Sequence, residues 1–301
     1  MVVWMTGGRG FAGSRLAPRL ERAGYEVALL ERGADVCDSA AVDASLSRAR
    51  PDAVVHLAAL TSVPRSFADP VAAARVNYLG TLNVLRAAAR HAPRARVLLV
   101  TSSEIYGHSD PSTDSAPIDE TAPLRAASPY ARSKAAADVL GAAWAARALD
   151  VVRARPFNHT GPGQPDSFVA SSLARQVAEI EAGRRPAELQ VGNLDAVRDF
   201  LDVDDVVEAY LRLLDPAVPR GAYNVARGVG VPVRELLAGL LARSTARPVV
   251  RVDPARWRPA DASVGCAERL RRATGWAPHV PLADTLERLL DDWRARVNAT
   301  P

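Results

Sequence analysis

Lysine is nearly missing from this 301-residue chain. Of its 38 Lys and Arg residues one is lysine, Lys134, and the remaining 37 are arginine. In a chain that uses arginine wherever any cation will do, the lone lysine marks a position where a guanidinium will not serve. Cysteine is scarce as well. Cys37 and Cys266 are far apart and form neither a CxxC pair nor a metal-ligand pattern. This excludes a disulfide-built fold and a cysteine metal centre, and reads as two structural thiols of a cytoplasmic protein with no metal. No apolar run is long enough to cross a membrane. The chain runs from Met1 straight into an apolar strand and a glycine loop, without a signal-peptide pattern. Blocks of like charge are missing too. The net charge is +4, but the arginines are scattered and no basic stripe is interleaved with aromatics, which argues against nucleic acid as a partner.

What remains is ordinary for a soluble globular enzyme: 48% hydrophobic and 24% charged residues, enough for one large or two modest domains. Short apolar runs alternate with Ala/Leu/Arg-rich amphipathic stretches. Strands are expected at Val2–Met5, Glu26–Leu30, Ala53–Leu57, Ala95–Thr101 and Val151–Ala154. Helices are expected at Ser14–Ala23, Ser39–Arg48, Val71–Ala89 and Tyr130–Arg147. This rhythm predicts an α/β fold, a Rossmann-like doubly wound parallel sheet. After Pro156 the rhythm breaks. Ser171–Glu181, Asp205–Leu214 and a closing stretch near Leu282–Val297 still read as helices, in a smaller α/β part of the chain that is interwoven with the first.

Two local patterns carry chemistry. Tyr130 and Lys134 are four residues apart, so on a helix they share a face. A compact ammonium beside a phenol would lower the phenol's pKa and make Tyr130 a proton donor or acceptor. Thr6-Gly7-Gly8-Arg9-Gly10-Phe11-Ala12-Gly13 lies between a strand and a helix. Glycines at 7, 10 and 13 permit a tight turn and a close approach to a pyrophosphate at the helix N-terminus. Glu31 ends the second strand. A carboxylate there would accept from an adenosine ribose, whereas Arg32 beside it could hold a 2′-phosphate, so NADH and NADPH both stay open. His56 by itself reads as a satisfied structural histidine.

The glycine loop with GxxGxxG spacing, His56-Leu57-Ala58-Ala59, Val76-Asn77-Tyr78-Leu79-Gly80-Thr81, Ser102–Gly107 and Tyr130–Lys134 occur in order. Together they resemble the extended short-chain dehydrogenase/reductases, the NAD-dependent epimerase/dehydratase group, over nearly the whole chain. Arg155–Gln164, Val191–Phe200 and Trp257-Arg258-Pro259-Ala260-Asp261 narrow the resemblance. They are similar to segments of enzymes that reduce GDP-4-keto-6-deoxy-mannose.

The resemblance implies a catalytic set of Ser102, Tyr130 and Lys134, with Glu104 as a pocket residue or, in a 4,6-dehydratase, as a base. It implies a cofactor site of Gly7, Gly10, Phe11, Gly13, Glu31, Arg32, Asp35, Val36, Leu57, Ala58, Ala59, Asn77, Tyr130, Lys134 and Phe157. Asp35 and Val36 would meet the adenine. The substrate site would draw on Ser62, Ser103, Asn158, His159, Val191, Arg198, Arg258 and Asp261. The two arginines would face the diphosphate, and Asp261 the ribose or the guanine edge. The implied activity is NAD(P)H-dependent reduction of the 4-keto group of GDP-4-keto-6-deoxy-D-mannose to GDP-D-rhamnose or its 4-epimer, with a 4,6-dehydratase or epimerase as the alternative. Residues 1–158, with a return segment near 197–226, would form the dinucleotide-binding part, and 159–196 with 227–301 the sugar-nucleotide part. A homodimer would pair through Val71–Ala89 and Tyr130–Arg147, whose alanines (Ala72, Ala73, Ala87, Ala88, Ala135, Ala136, Ala137) would permit close helix packing.

Overall fold

The computed structural model describes residues 1–107, 116–147, 149–254, 257 and 261–299. Its strands are β1 (Val2–Thr6), β2 (Glu26–Leu29), β3 (Ala53–His56), β4 (Arg96–Val100), β5 (Asp150–Pro156), β6 (Asn158–Thr160), β7 (Glu188–Val191), β8 (Val197–Asp202), β9 (Gly221–Val225), β10 (Gly230–Pro232), β11 (Val249–Val252) and β12 (Ala262–Ser263). Its helices are α1 (Gly13–Arg22), α2 (Ser39–Ala49), α3 (Val63–Ala68), α4 (Pro70–Ala74), α5 (Gly80–His91), α6 (Pro129–Ala145), α7 (Val169–Glu181), α8 (Val203–Leu213), α9 (Val233–Ala242), α10 (Glu268–Thr274) and α11 (Leu282–Ala299).

Six strands form one parallel sheet in the order β2-β1-β3-β4-β5-β9. Both faces are buried, which is why its strands read as near-continuous apolar runs. Successive side chains go to opposite faces. Val3 and Met5 of β1, Val55 of β3, and Leu98 and Val100 of β4 enter one core with Leu16 and Leu20 of α1 and Val206, Val207 and Tyr210 of α8. Trp4, Val54, Val97 and Leu99 enter the other with Leu46 of α2 and Val84 and Leu85 of α5. The strand order reverses at β1, between β2 and β3. In open sheets of this kind ligands lie outside the carboxyl ends of the strands at that point.

A third core is built by α7, α9 and α11 against β7 and β8, with Leu173, Val177, Leu236, Leu289, Leu290 and Phe200 at its centre. β8 carries β10 and β12 on its two sides and also pairs with β6, while β7 pairs with β11. The chain returns to the first core near its end: Leu270 and Trp276 are buried there, and the Trp276 indole donates to the Asp205 carbonyl at 3.0 Å. Among the described residues no helix is long and apolar enough to cross a membrane.

One expected helix differs in kind. Val71–Ala89 is not uniformly α-helical: a π-helical stretch, Arg75–Leu79, separates α4 from α5. Such stretches often sit at functional sites. Here it carries Asn77, whose amide is buried and fully used, as described below. α3, α9 and α10 were not expected from periodicity. They are short, and α9 and α10 lie in the Pro- and Arg-rich part of the chain.

Candidate active site

The glycine loop leaves the end of β1 and opens α1. Gly7 has φ +68°, and a Cβ on it would lie 2.6 Å from the backbone nitrogen of Ala58. The loop is therefore pressed against Leu57 and Ala58 at the end of β3. A Cβ on Gly13 would run into the Gly7 carbonyl, so α1 starts directly on the turn. No side chain caps α1 and its first turn holds no acid. These features fit a dinucleotide pyrophosphate: close backbone approach, and a helix N-terminus whose positive end faces the ligand.

A chain of buried hydrogen bonds joins this loop to the rest of the site. The Thr6 hydroxyl is 2.6 Å from His56 Nδ1 and accepts from the Ala58 amide at 3.2 Å. His56 Nε2 is 3.1 Å from the Thr81 hydroxyl, which donates to the Asn77 carbonyl at 2.6 Å. The Asn77 side chain accepts from the Leu60 amide (2.8 Å) and donates to the Leu60 carbonyl (3.0 Å) and to Ser133 Oγ (2.9 Å). His56 is thus the satisfied structural histidine its sequence context implies. Burial, then the charge of Lys134, push it down to about 3, so the ring is neutral.

Tyr130 and Lys134 are buried on one face of α6, at 7% and 5% exposure. Ser128 caps the helix by accepting from the Ala131 amide at 3.0 Å, and Pro129 follows at the first helical position. Ser66 of α3, which sequence reading missed, accepts from the Tyr130 amide at 3.0 Å. Ser102 follows β4, its Oγ accepts from the Glu104 amide at 3.2 Å, and it lies close enough to the Tyr130 phenol to act on its pKa. Ser103 is buried beside it, and Glu104 is half-buried in the short turn Ser103–Tyr106.

The expected lowering of the Tyr130 pKa by Lys134 is not what this geometry produces. Burial pushes the phenol up to about 12; the Ser102 hydrogen bond acts downward and the Glu104 charge upward. The Lys134 ammonium instead donates to the Val100 carbonyl at 2.8 Å, and burial holds it down to about 8.

Behind α6, Asp138 continues the Tyr130–Lys134 face. Its carboxylate accepts from Arg153 (2.6 Å), from both sides of the Arg155 fork (2.9 and 2.7 Å) and from the Thr101 hydroxyl (3.1 Å). Arg155 also donates to the Tyr106 hydroxyl at 2.8 Å, and Tyr106 donates to Asn224 at 2.7 Å. One buried carboxylate therefore ties the helix bearing Tyr130 to the strand ends bearing Ser102.

The other expected residues are placed as follows. Phe11 stacks on His159, ring centroids 5.9 Å apart, closing the glycine loop against β6. Asn158 and His159 are half-buried on β6. Glu31 pairs with Arg48 of α2, and Arg32 is exposed. Asp35 accepts from the Cys37 amide at 2.9 Å. Three side chains are spent on packing: Val36 against Gly80, Phe157 in the first core, and Val191 in the third core, its carbonyl accepting from the Asp253 amide at 2.8 Å. Ser62 caps α3. Arg198 and Asp261 are brought together, Nη2 to Oδ1 at 2.7 Å. Arg258 lies outside the described residues. Among the described residues no His/Cys/Asp/Glu group could hold a metal ion.

Residues 3–226 match the model of the NAD dependent epimerase/dehydratase family. A GDP-6-deoxy-D-mannose reductase of Pseudomonas aeruginosa is 39% identical over 98% of both chains. A UDP-glucose 4-epimerase of Mycolicibacterium smegmatis is 30% identical over 96% of this chain and 97% of its own. Among solved structures, that of RMD from Pseudomonas aeruginosa complexed with NADPH aligns with a TM-score of 0.89 and 37% identity, covering 98% of this chain and 99% of the other.

Proposed function

Since the chain belongs to the NAD dependent epimerase/dehydratase family, we propose that it reduces the 4-keto group of GDP-4-keto-6-deoxy-D-mannose with NAD(P)H. The product is GDP-D-rhamnose or its 4-epimer. The observation that carries this reading is the buried Ser102–Tyr130 hydroxyl pair beside the chain's single lysine, in a chain similar over its full length to a GDP-6-deoxy-D-mannose reductase.

The cofactor supplies a hydride when bound. The residues supply the rest. Ser102, whose Oγ already accepts from the Glu104 amide, has its O–H to donate to the substrate carbonyl oxygen, which stabilises the charge that develops there. Tyr130 passes its proton to the same oxygen. Burial holds the phenol in its protonated form, the form a proton donor needs. Lys134 keeps a positive charge next to the proton donor. Asn158, His159, Arg198 and Asp261 would hold the sugar nucleotide, Arg198 through the fork now on Asp261. His159 and Asp261 come from 159–196 and 227–301, the proposed sugar-nucleotide part, whereas Asn158 and Arg198 come from 1–158 and 197–226, which would also hold the cofactor. Glu104 supports a second reading: half-buried two residues after Ser102, with its charge acting on Tyr130, it is the candidate base of a 4,6-dehydratase.

We further propose that two copies pair through α4–α5 and α6. Val71, Tyr78, Leu79 and Val139 are 67, 40, 36 and 58% exposed on these helices. Of the expected alanines, Ala73, Ala87, Ala88 and Ala137 are buried inside the subunit, Ala72 and Ala135 are half-buried, and Ala136 is exposed on α6. Two free thiols fit a cytoplasmic enzyme.

The functional reading is tested by mixing the protein with the keto sugar and excess NADH or NADPH. Loss of reduced nicotinamide matching sugar consumed, and abolished by Tyr130→Phe, is the expected result. GDP-mannose turning into a keto sugar with no added cofactor would overturn it in favour of the dehydratase.

A further inference from the structure

Asp199 of β8 is fully buried, and its carboxylate accepts three backbone amides. Oδ1 takes the Arg227 amide at 2.9 Å, and Oδ2 takes the Gly228 amide at 2.8 Å and the Gly265 amide at 3.2 Å. The first two donors are consecutive amides of the turn that leaves β9, the edge strand of the six-stranded sheet. Gly228 has φ +85°, and two successive amides converging on one anion need such a turn. The third donor lies just beyond β12. It is pressed so close to the site that a Cβ on Gly265 would lie 2.5 Å from the Phe157 ring and from the Ala226 side chain.

The neighbouring residue grips the other end of the same segment. Arg198 donates from Nη1 to the Asp261 carbonyl at 3.0 Å and from Nη2 to Asp261 Oδ1 at 2.7 Å. The Val197 amide donates to that carbonyl at 2.8 Å. Successive strand residues point to opposite faces, so β8 holds residues 261–265 from two sides. Asp261 is thereby fixed at one end by Arg198 and at the other by Asp199.

Three N–H donors on two oxygens call for an anion. A protonated carboxyl or a carboxamide would turn a donor of its own toward at least one of these amides. Burial opposes the anion and pushes the carboxyl up to about 6, against the three amides and the Arg227 charge, which act downward. β10 sets Gly230 opposite Asp199, β12 sets Ala262 and Ser263 beside Val197 and Arg198, and β6 sets Asn158 beside Phe200. None of these titrates. The charged groups around Asp199 are Arg227 and, across the strand, the Arg198–Asp261 pair.

We propose that Asp199 is a positioning residue for the sugar nucleotide: by bracing residues 261–265 against the turn after β9 it keeps Arg198 and Asp261 in place for the substrate, and it takes no part in cofactor binding or in the chemical step. This rests on the reading of Arg198 and Asp261 as sugar-nucleotide ligands.

The test uses the full chain and two stable sugar nucleotides, GDP-mannose and UDP-glucose, whose diphosphates keep their charge as the pH is varied. Binding is followed by titration calorimetry at about pH 7.5. Asp199→Asn weakens the tighter of the two roughly tenfold and leaves NADH and NADPH within about twofold. With the keto sugar as substrate it raises KM and leaves kcat within about twofold. As the pH falls to about 5, wild-type affinity for the sugar nucleotide drops with a midpoint near pH 6, and the Asn variant shows no such midpoint. Protonation of His159, whose pKa burial lowers, would add positive charge and strengthen a diphosphate, the opposite sign. If Asp199→Asn fails to fold, the wild-type titration carries the test. Equal loss of sugar nucleotide and cofactor, unchanged sugar-nucleotide affinity in the folded variant, a midpoint that survives in it, wild-type affinity that does not fall on acidification, or binding of neither sugar nucleotide would each overturn the proposal. Binding that follows this pattern with no reduction of the keto sugar refutes the reductase assignment alone. Reduction with the same KM in wild type and Asp199→Asn refutes this proposal alone.

Discussion

Replacing Asp138 with alanine should damage both stability and turnover. Asp138 is 1% exposed and accepts four hydrogen bonds, three from Arg153 and Arg155 and one from Thr101. Burial raises its pKa, but Arg155 and then Arg153 outweigh this and hold the carboxyl below its usual range. Removing the anion leaves two guanidiniums, buried or nearly so, without their counter-ion. Breaking such a pair costs about 3–5 kcal/mol. That is a large share of a total stability of about 5–15 kcal/mol and corresponds to a fall in Tm of roughly 10 °C. The catalytic effect follows from position. Asp138 is four residues beyond Lys134 and eight beyond Tyr130, about 12 Å along the helix from the phenol. Thr101, its partner, directly precedes Ser102. Loosening this tie lets Tyr130 drift from Ser102, and a misplacement of about 1 Å can cost about a hundredfold in rate. Thermal melts and kcat for Asp138→Ala, with Thr101→Val as the milder variant that leaves both arginine pairs intact, check the argument. An unchanged Tm and a kcat within twofold of wild type in Asp138→Ala would refute it, since apolar packing alone would then be holding α6.

Lys134, held at about 8 by burial against an ordinary 10.5, should make kcat fall with a midpoint near pH 8 as its charge is lost. The unfolded chain binds this proton more tightly, so folding stability should rise between pH 8 and 10.5, by up to roughly 3 kcal/mol, and urea midpoints of wild type and Lys134→Met will show it. His56, lowered from 6.5 to about 3 chiefly by burial, also binds its proton more tightly in the unfolded state. Its stability contribution is present above pH 6.5 and lost as the pH falls toward 3, by up to roughly 5 kcal/mol, and His56→Gln should flatten that acid limb in denaturant titrations. Val139→Glu places a charge on the exposed face of α6; sedimentation should show it as a monomer at concentrations where the wild type is a dimer, and a wild-type monomer would end the dimer proposal.

Much of this could be read before any coordinates. The N-terminal strands and helices alternate cleanly because the inner strands β1, β3, β4 and β5 are buried on both faces and the helices on one, so apolar periodicity reports them directly. The glycine loop, His56, Asn77, Ser102, Tyr130 and Lys134 all converge at one sheet edge, since each follows a strand end or lies on the helix packed there. What stayed hidden was the choice of polar partner. Periodicity tells which face of α6 is buried, but not that Asp138 would be claimed by Arg153 and Arg155, nor that Arg48 among 37 arginines would take Glu31. Ser66 reaches Tyr130 across 64 residues with no local signal. Alanine spacing does not by itself tell which small residues pack inside a subunit: Ala73, Ala87, Ala88 and Ala137 do, whereas Ala136 is exposed. The expected Tyr130–Lys134 coupling assumed that helical spacing is sufficient. Burial sets the pKa of the phenol, and the ammonium donates to the Val100 carbonyl instead.

The most direct test of the proposed chemistry follows a label. NADPH carrying deuterium on the transferred position of the nicotinamide is mixed with the protein and GDP-4-keto-6-deoxy-D-mannose, and the sugar product is analysed by mass and NMR spectrometry. Deuterium bound to C4, one atom per NADPH oxidised, is the predicted result. A sugar product without deuterium, or turnover without oxidation of the cofactor, would contradict it.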